Sequence, residues 1–324
     1  MGKKILHVLK YILPAAIAFV LMYFAFQNVD FAEFWNKAQE VNYIWVFISI
    51  ALSYLSYWIR AFRWNLLLKP LGFEHLTSNR TTVAVLIGYL ANLAFPRLGE
   101  VTRCGILKRN EKVPMTTSFG SVITERIIDV VTLFILILFT LLIEYDTLIA
   151  FLKDAFSGIS DIEGLGWKVA LILVGLMIAV GIIFYLAVKS GGKLKEFIRQ
   201  LLEGVLSLRK VNNFPAFIFS TILLWVVYYY MSYIIVFSLP ETSTLTWQAG
   251  IMLLVTSGIA LSIPVQGGFG TYHTLISGML FLYGIDKTTG VFFATLLHTS
   301  QIICLAVLGI ISSLILFFKI RSNG

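Results

Sequence analysis

Six apolar runs of bilayer-crossing length leave this backbone little choice of architecture. They cover residues 8–27, 43–68, 115–143, 167–188, 214–239 and 288–318, and a span needs about 20 residues rising 1.5 Å each. In hydrocarbon every N–H and C=O must find a partner within protein, which restricts spanning elements to helices and closed barrels. Continuous apolar runs this long lack the strand's alternation and read as helices. Of the 324 residues, 58% are hydrophobic and only 13% charged, against about a quarter charged in soluble domains. The expected fold class is all-α, a polytopic membrane protein in a single domain spanning residues 1–324.

Charge placement supplies the topology. Basic residues crowd alternate loops: Lys3, Lys4 and Lys10; Arg60, Arg63, Lys69 and Arg80; Lys108, Arg109 and Lys112; the stretch from Lys189 to Lys210; Lys319 and Arg321. The intervening loops are acidic, with Asp30, Glu33, Glu40, Glu144, Asp146 and Glu241. This positive-inside bias puts both termini in the cytoplasm. It also accounts for the net charge of +8 without a nucleic-acid partner. The first run follows lysines but lacks a small-residue cleavage site, so it reads as a retained anchor.

Two further apolar stretches are broken by proline and glycine: Pro96-Arg97-Leu98-Gly99-Glu100 and Pro264-Val265-Gln266-Gly267-Gly268-Phe269-Gly270. The pieces flanking each break are too short for ordinary spans. Proline removes a backbone donor and glycine opens conformations that other residues avoid. The first broken unit starts and ends on the basic side, the second on the acidic side. About six full spans plus two broken hairpins, re-entrant or fully spanning, then form an inverted repeat. One half covers residues 43–143 and the other 214–318, with 8–27 as an extra helix and 167–188 as a link. Matched broken segments in two halves point to a transporter-type site near mid-membrane. Residues 194–206 and, more weakly, 148–159 show amphipathic spacing and read as connectors lying on the membrane.

Several ionisable residues sit at membrane depth, where charge is costly and functional by default. Arg97, Glu100 and Arg103 cluster at the first break, and Glu100 and Arg103 share a helix face. Arginine offers two parallel hydrogen bonds to phosphate. Arg60 and Arg63 end the second run, either as snorkelling anchors or as headgroup contacts. Glu125, Arg126 and Asp129 lie inside the third run and, with His298 in the last, make a candidate charge network. At the second break Gln266, Gly267, Gly268 and Gly270 offer backbone and amide groups, and His273 follows them. The helix resuming there presents bare N–H groups suited to an anion. Cys104 and Cys304 show no metal or redox spacing and read as small buried hydrophobes. No metal or cofactor is expected. The nucleotide-binding GxxxxGK[ST] loop and the common hydrolase and kinase motifs are absent, which disfavours an autonomous ATP-driven pump.

The segment from Asn92 to Arg103, then Glu125-Arg126-Ile127-Ile128-Asp129, then Pro264 to Gly270, in that order, resemble the lysylphosphatidylglycerol synthase transmembrane-region family. The resemblance implies an integral bacterial inner-membrane protein that handles lipids, as the flippase part of the multiple peptide resistance factor does. It implies roles for Pro96, Arg97, Gly99, Glu100, Arg103, Glu125, Arg126, Asp129, Pro264, Gly267, Gly268 and Gly270. Two positions depart: Gln266 stands where the family commonly has proline, and His273 where it commonly has glutamate. No aminoacyl-transferase domain accompanies the segment, so synthase activity is not expected. The expected function is a flippase-like transporter of a phospholipid or lipid-linked sugar. The alternative is a membrane-embedded enzyme or assembly factor in lipid-linked glycan or aminoacyl-lipid metabolism, with Glu100, Glu125, Asp129, His273 or His298 as acid and base groups. Expected partners are an anionic phospholipid or polyisoprenyl-linked sugar, with a homodimer left open.

Overall fold

A computed structural model describes Ala16, Val211 and residues 18–27, 29–95, 98–155, 213–263 and 265–322. Among these residues every regular element is a helix. In chain order they are α1 (18–26), α2 (Phe31–Glu40), α3 (Tyr43–Leu68), α4 (Ser78–Ala94), α5 (Leu98–Glu111), α6 (Met115–Ile143), α7 (Tyr145–Ala155), α8 (Phe214–Tyr233), α9 (Trp247–Ser262), α10 (Thr271–Leu282) and α11 (Lys287–Ser322). The expected 167–188 helix, the 194–206 amphipathic stretch and residues 8–15 and 17 of the first run lie outside the described residues, as do Pro96, Arg97 and Pro264.

Among the described residues four helices are long and apolar enough to cross a membrane: α3 with the 3-10 turn after it, α6, α8 with its 3-10 extension, and α11 to Phe318. They match four of the six expected runs. Polar side chains start several helices. Asp30 accepts from Ala32 and Glu33 N–H at 2.9 and 3.1 Å at the head of α2. Asn213 does the same for Ala216 at α8, and Asp286 for Thr289 in the first turn of α11. Each satisfies donors that a helix start leaves unpaired.

Both broken units are helical hairpins with short arms. α4 and α5 have 17 and 14 residues, α9 and α10 have 16 and 12, all below the roughly 20 a full span needs. α4 and α5 meet at glycines. A Cβ on Gly99 would collide with the Gly88 carbonyl and the Asn92 side chain, so only glycine permits this approach. Asn92 Oδ1 accepts from Gly99 N at 2.6 Å and stitches the two arms across the break.

Packing across the halves is reciprocal: α3 lies along α8, α4 along α11, and α6 along α9. Each half has its own apolar core. Trp64, Leu68, Val85, Leu107 and Val122 form one among α3 to α6. Met252, Leu253, Ile276, Met279, Phe293 and Leu297 form the other among α9 to α11. Within residues 148–155, the described part of the 148–159 stretch, the chain departs from its reading as a surface connector. α7 turns back onto α10 and buries Leu148 and Phe151 in the second core, because its apolar face finds protein rather than lipid.

Candidate functional site

Among the described residues, seven charged side chains of the first half converge into one largely buried cluster: Arg60, Arg63, Glu100, Arg103, Glu125, Arg126 and Asp129. Arg60 and Arg63 lie eight and five residues before the end of α3, and Glu125 ten residues into α6, roughly 8–15 Å along each helix from its end. Helical spacing puts Arg60 and Arg63, and likewise Glu125 and Asp129, on shared faces. Glu125 Oε1 accepts from Arg60 Nη1 at 2.5 Å and Arg63 Nη2 at 3.2 Å. Asp129 takes Arg63 at 2.7 Å and Arg60 at 3.1 Å. Two carboxylates and two guanidinium groups thus form a closed four-membered cluster between α3 and α6.

α5 adds a second layer. Arg103 Nη2 stands 3.1 Å from Glu125 Oε2, close enough for ion pairing but not aligned for a hydrogen bond. Its guanidinium lies 4.6 Å above the Trp64 ring, a favourable cation–π position. Glu100 reaches Arg126 at 3.7 Å, and Arg126 reaches Asp129 at 3.8 Å. Sequence spacing puts Glu100 and Arg103 on one face, and the structure directs each to a different partner on α6. Glu125 and Arg63 are fully buried, and Arg60 and Arg103 nearly so.

Charge in the cluster does not balance. Among the described residues Arg60, Arg63, Arg103 and the partly exposed Arg126 face Glu100, Glu125 and Asp129, four positive groups against three negative. Nε and Nη1 of Arg63 and of Arg103 have no hydrogen-bond partner among the described residues. Buried groups of this kind are normally paired, so the cluster has donors and one positive charge to offer.

Several expectations are refined by this geometry. Arg60 and Arg63 are core members of the cluster, not snorkelling anchors, because carboxylates on α6 hold them inside. Among the described residues His298 makes no hydrogen bond or ion pair with Glu125 or Asp129 and so leaves the charge network. It stands at the second break with His273, ring centroids 5.3 Å apart. Cys104 and Cys304 are buried free thiols. No three metal-binding side chains group together among the described residues.

Sequence reasoning missed Tyr228, whose hydroxyl accepts from Arg60 Nη2 at 2.8 Å and Nε at 3.3 Å. It also missed Trp64 and Asn92. The signal for Tyr228 was available, since it opens a run of three tyrosines inside an apolar span.

The second break is built from backbone. α9 ends at Ser262, a 3-10 turn covers Gln266–Gly268, and Gly267, Gly268 and Gly270 have φ of 58°, 73° and 80°. This turn packs against the end of α4. Gln266 Nε2 donates to the carbonyls of Ala94 at 2.9 Å and Leu93 at 3.3 Å, which lie in the last turn of α4 beside the first break. The two breaks therefore touch. α1 closes over Gly270, where a Cβ would lie 2.8 Å from Met22 N and 2.9 Å from the Ala18 carbonyl.

Away from both breaks, Lys37 on α2 pairs with Glu241 at 2.6 Å and Glu33 at 3.3 Å. Burial alone would lower the Lys37 pKa, but the two carboxylates more than offset it and raise it above the ordinary value. For Glu241 burial acts upward, and the Lys37 hydrogen bond and charge bring the net shift below the usual range. A shallow cleft lined by Leu66, Lys69, Pro70, Glu74, Val211 and Asn213 lies beyond the end of α3 and includes none of the charged cluster.

The chain matches the family described as "Lysylphosphatidylglycerol synthase TM region" over residues 11–309. It belongs to that family. The match covers most of the chain, including both hairpins and the arginine–carboxylate cluster. A curated relative, "Glycosyltransferase AglD" from Haloferax volcanii, is 31% identical over 85 residues. That stretch is 26% of this chain and 14% of the relative. No solved structure matches the chain. Family and apolar helices together make this a multi-pass membrane protein.

Proposed function

We propose that the protein is a flippase-like carrier that binds the anionic headgroup of a lipid between its two broken hairpins. The observation that carries this reading is the buried cluster with one guanidinium in excess and unpaired N–H groups on Arg63 and Arg103. An arginine edge suits phosphate geometry. Arg103, with Glu100 and Arg126 beside it, is the headgroup end. Glu125 and Asp129 hold Arg60 and Arg63 in place. Arg97 belongs to the same break by sequence, and the backbone of Gly267, Gly268 and Gly270 with Gln266 serves the opposite hairpin.

The reciprocal pairing of α3 with α8, α4 with α11 and α6 with α9 supports an inverted repeat, the plan of many secondary transporters. The bias of basic residues supports a reading in which the α3 end of the cluster faces the cytoplasm, and the proposed setting is a bacterial inner membrane. The local similarity to a protein named as a glycosyltransferase favours a second reading, in which this domain serves the assembly of lipid-linked glycans and the ligand is a polyisoprenyl-linked sugar.

The test is reconstitution of purified protein in vesicles holding labelled phosphatidylglycerol, aminoacylated phosphatidylglycerol or a polyisoprenyl-phosphate sugar. At least one lipid is expected to cross faster than in protein-free vesicles, and Arg103→Gln is expected to slow it at least about tenfold, the loss of one charged hydrogen-bonding group. Protein-free rates for all three lipids would overturn the carrier reading.

A further inference from the structure

The second break holds two buried histidines that the lipid reading leaves without a role. His273 lies in the first turn of α10 and His298 on α11, and they are 1% and 4% exposed. Their rings stand edge to face with centroids 5.3 Å apart. Neither Nδ1 has a hydrogen-bond partner among the described residues. The Nε2 edge of His298 faces Gly268, where a Cβ would lie 3.6 Å away.

Aromatic rings surround the pair. His298 stacks on Tyr272 at 4.6 Å with 16° between planes, and Phe269 stands edge-on to it at 5.4 Å. Phe26 of α1 lies 6.0 Å from His273. Tyr272 is fixed by a 3.1 Å contact between its hydroxyl and Ser257 on α9.

A neutral imidazole has one N–H and one acceptor nitrogen, while an imidazolium donates from both. Adding one proton to this pair therefore turns an unpaired nitrogen into a donor, with a second, neutral ring whose centroid is 5.3 Å away. The positive charge then lies against the face of Tyr272, an arrangement aromatic rings favour within about 6 Å. A second proton would place two like charges side by side in a low-dielectric interior, which is disfavoured.

We propose that His273 and His298 form a proton-binding site that holds one proton between them at the second break. Ionisable residues inside a membrane, histidines among them, are the usual parts of proton relays. His273 belongs to α10 and His298 to α11, so a shared proton fastens the second hairpin to the last helix and its loss loosens that contact.

α2, α3 and α4, which also pack on α11, carry Glu33, Lys37, Glu40, Tyr57, Arg60, Arg63, Arg80 and Tyr89, and among the described residues none of these has a hydrogen bond, ion pair or ring contact with either histidine. Tyr272 is the one ionisable side chain in ring contact with the pair, apart from the two histidines, among the described residues. α9 carries no ionisable residue. The ionisable residues of α11 nearest in sequence to His298 are Lys287, eleven residues before it, and Cys304, six after it. α7, packed on α10, brings Tyr145 and Asp146 in its first turn, and α1 brings Tyr23.

The chain has four histidines, so nitrogen-15 labelling of histidine in the full-length protein gives few signals in lipid bilayers. Nuclear magnetic resonance from about pH 8 to about pH 5, the range where imidazoles ordinarily titrate, reads each ring's protonation directly. His7→Gln and His75→Gln identify the other two signals. One imidazolium is expected from the pair. In His273→Gln and in His298→Gln the remaining ring is expected to lose proton affinity by about tenfold or more, one pH unit. Two rings neutral throughout the range would overturn the proposal. So would two rings that titrate independently, each unaffected by loss of the other. The measurement requires no lipid movement, so it can fail while the carrier reading stands, and the reverse.

Discussion

Glu125→Gln isolates the electrostatic role of one carboxylate with little change in shape. In the native protein Glu125 is fully buried and meets Arg60 at 2.5 Å, Arg63 at 3.2 Å and Arg103 at 3.1 Å. The substitution raises the excess of guanidinium groups over carboxylates from one to two. At an effective dielectric constant of about 20, each such attraction is worth about 4 kcal/mol, so three lost contacts amount to roughly 12 kcal/mol before solvation. Release of the carboxylate's own desolvation cancels most of this. Experience with broken buried pairs puts the net loss at about 3–5 kcal/mol. Unfolding of the purified protein in mixed micelles, followed by tryptophan fluorescence, reads it. Arg103 has Glu125 as its one carboxylate partner among the described residues. The double variant Glu125→Gln/Arg103→Gln restores the native excess of one and is expected to fall short of additivity by about 0.5–3 kcal/mol. A single variant within about 1 kcal/mol of wild type, or an additive double variant, would refute the reasoning.

Gly270 and Gly284 both have φ of 80°, but a Cβ at Gly284 meets open space while one at Gly270 meets α1. Gly284→Ala should cost about 1–2 kcal/mol of strain and Gly270→Ala clearly more; equal losses by denaturation would mean that α1 does not press on the break. The Lys37–Glu241 clasp gives a pH prediction. The raised Lys37 pKa contributes stability that is complete below its ordinary value of 10.5 and fades as pH climbs through the raised value. The lowered Glu241 pKa contributes stability present above its ordinary 4.5 and lost as pH falls through the lowered value. The stability difference between wild type and Lys37→Met should stay level between those limits and shrink outside them; a slope across neutral pH in unfolding measurements would contradict the pairing.

Spans were legible because apolar length is a local property. Residues 43–68 and 115–143 were read with the bounds at which α3 and α6 fold. The breaks were legible for the same reason, since Gly267, Gly268 and Gly270 announce positive φ in the chain itself. Partnership was not. Spacing puts Glu125 and Asp129 on one face of their helix, but no local rule says that this face meets Arg60 and Arg63. Without that, snorkelling and headgroup contact are equally good accounts of Arg60, and neither names its carboxylate partners. His298 shares depth in the membrane and an ionisable ring with the carboxylates, but its contacts come from the fold of the second hairpin. Lys37 and Glu241, 204 residues apart, had no sequence signal linking them.

The amide of Gln266 has a consequence for how the chain is made. The last carbonyls of α4 are completed by a side chain 172 residues further on. At ordinary synthesis rates of about 5–20 residues per second, that donor emerges on the order of ten seconds or more after α4. Until then the first hairpin sits in or near the bilayer with two acceptors open at its tip. The first half is thus an unfinished piece by itself, waiting for the second half to close it. Completion of the first hairpin depends on one glutamine at the point where the two breaks touch.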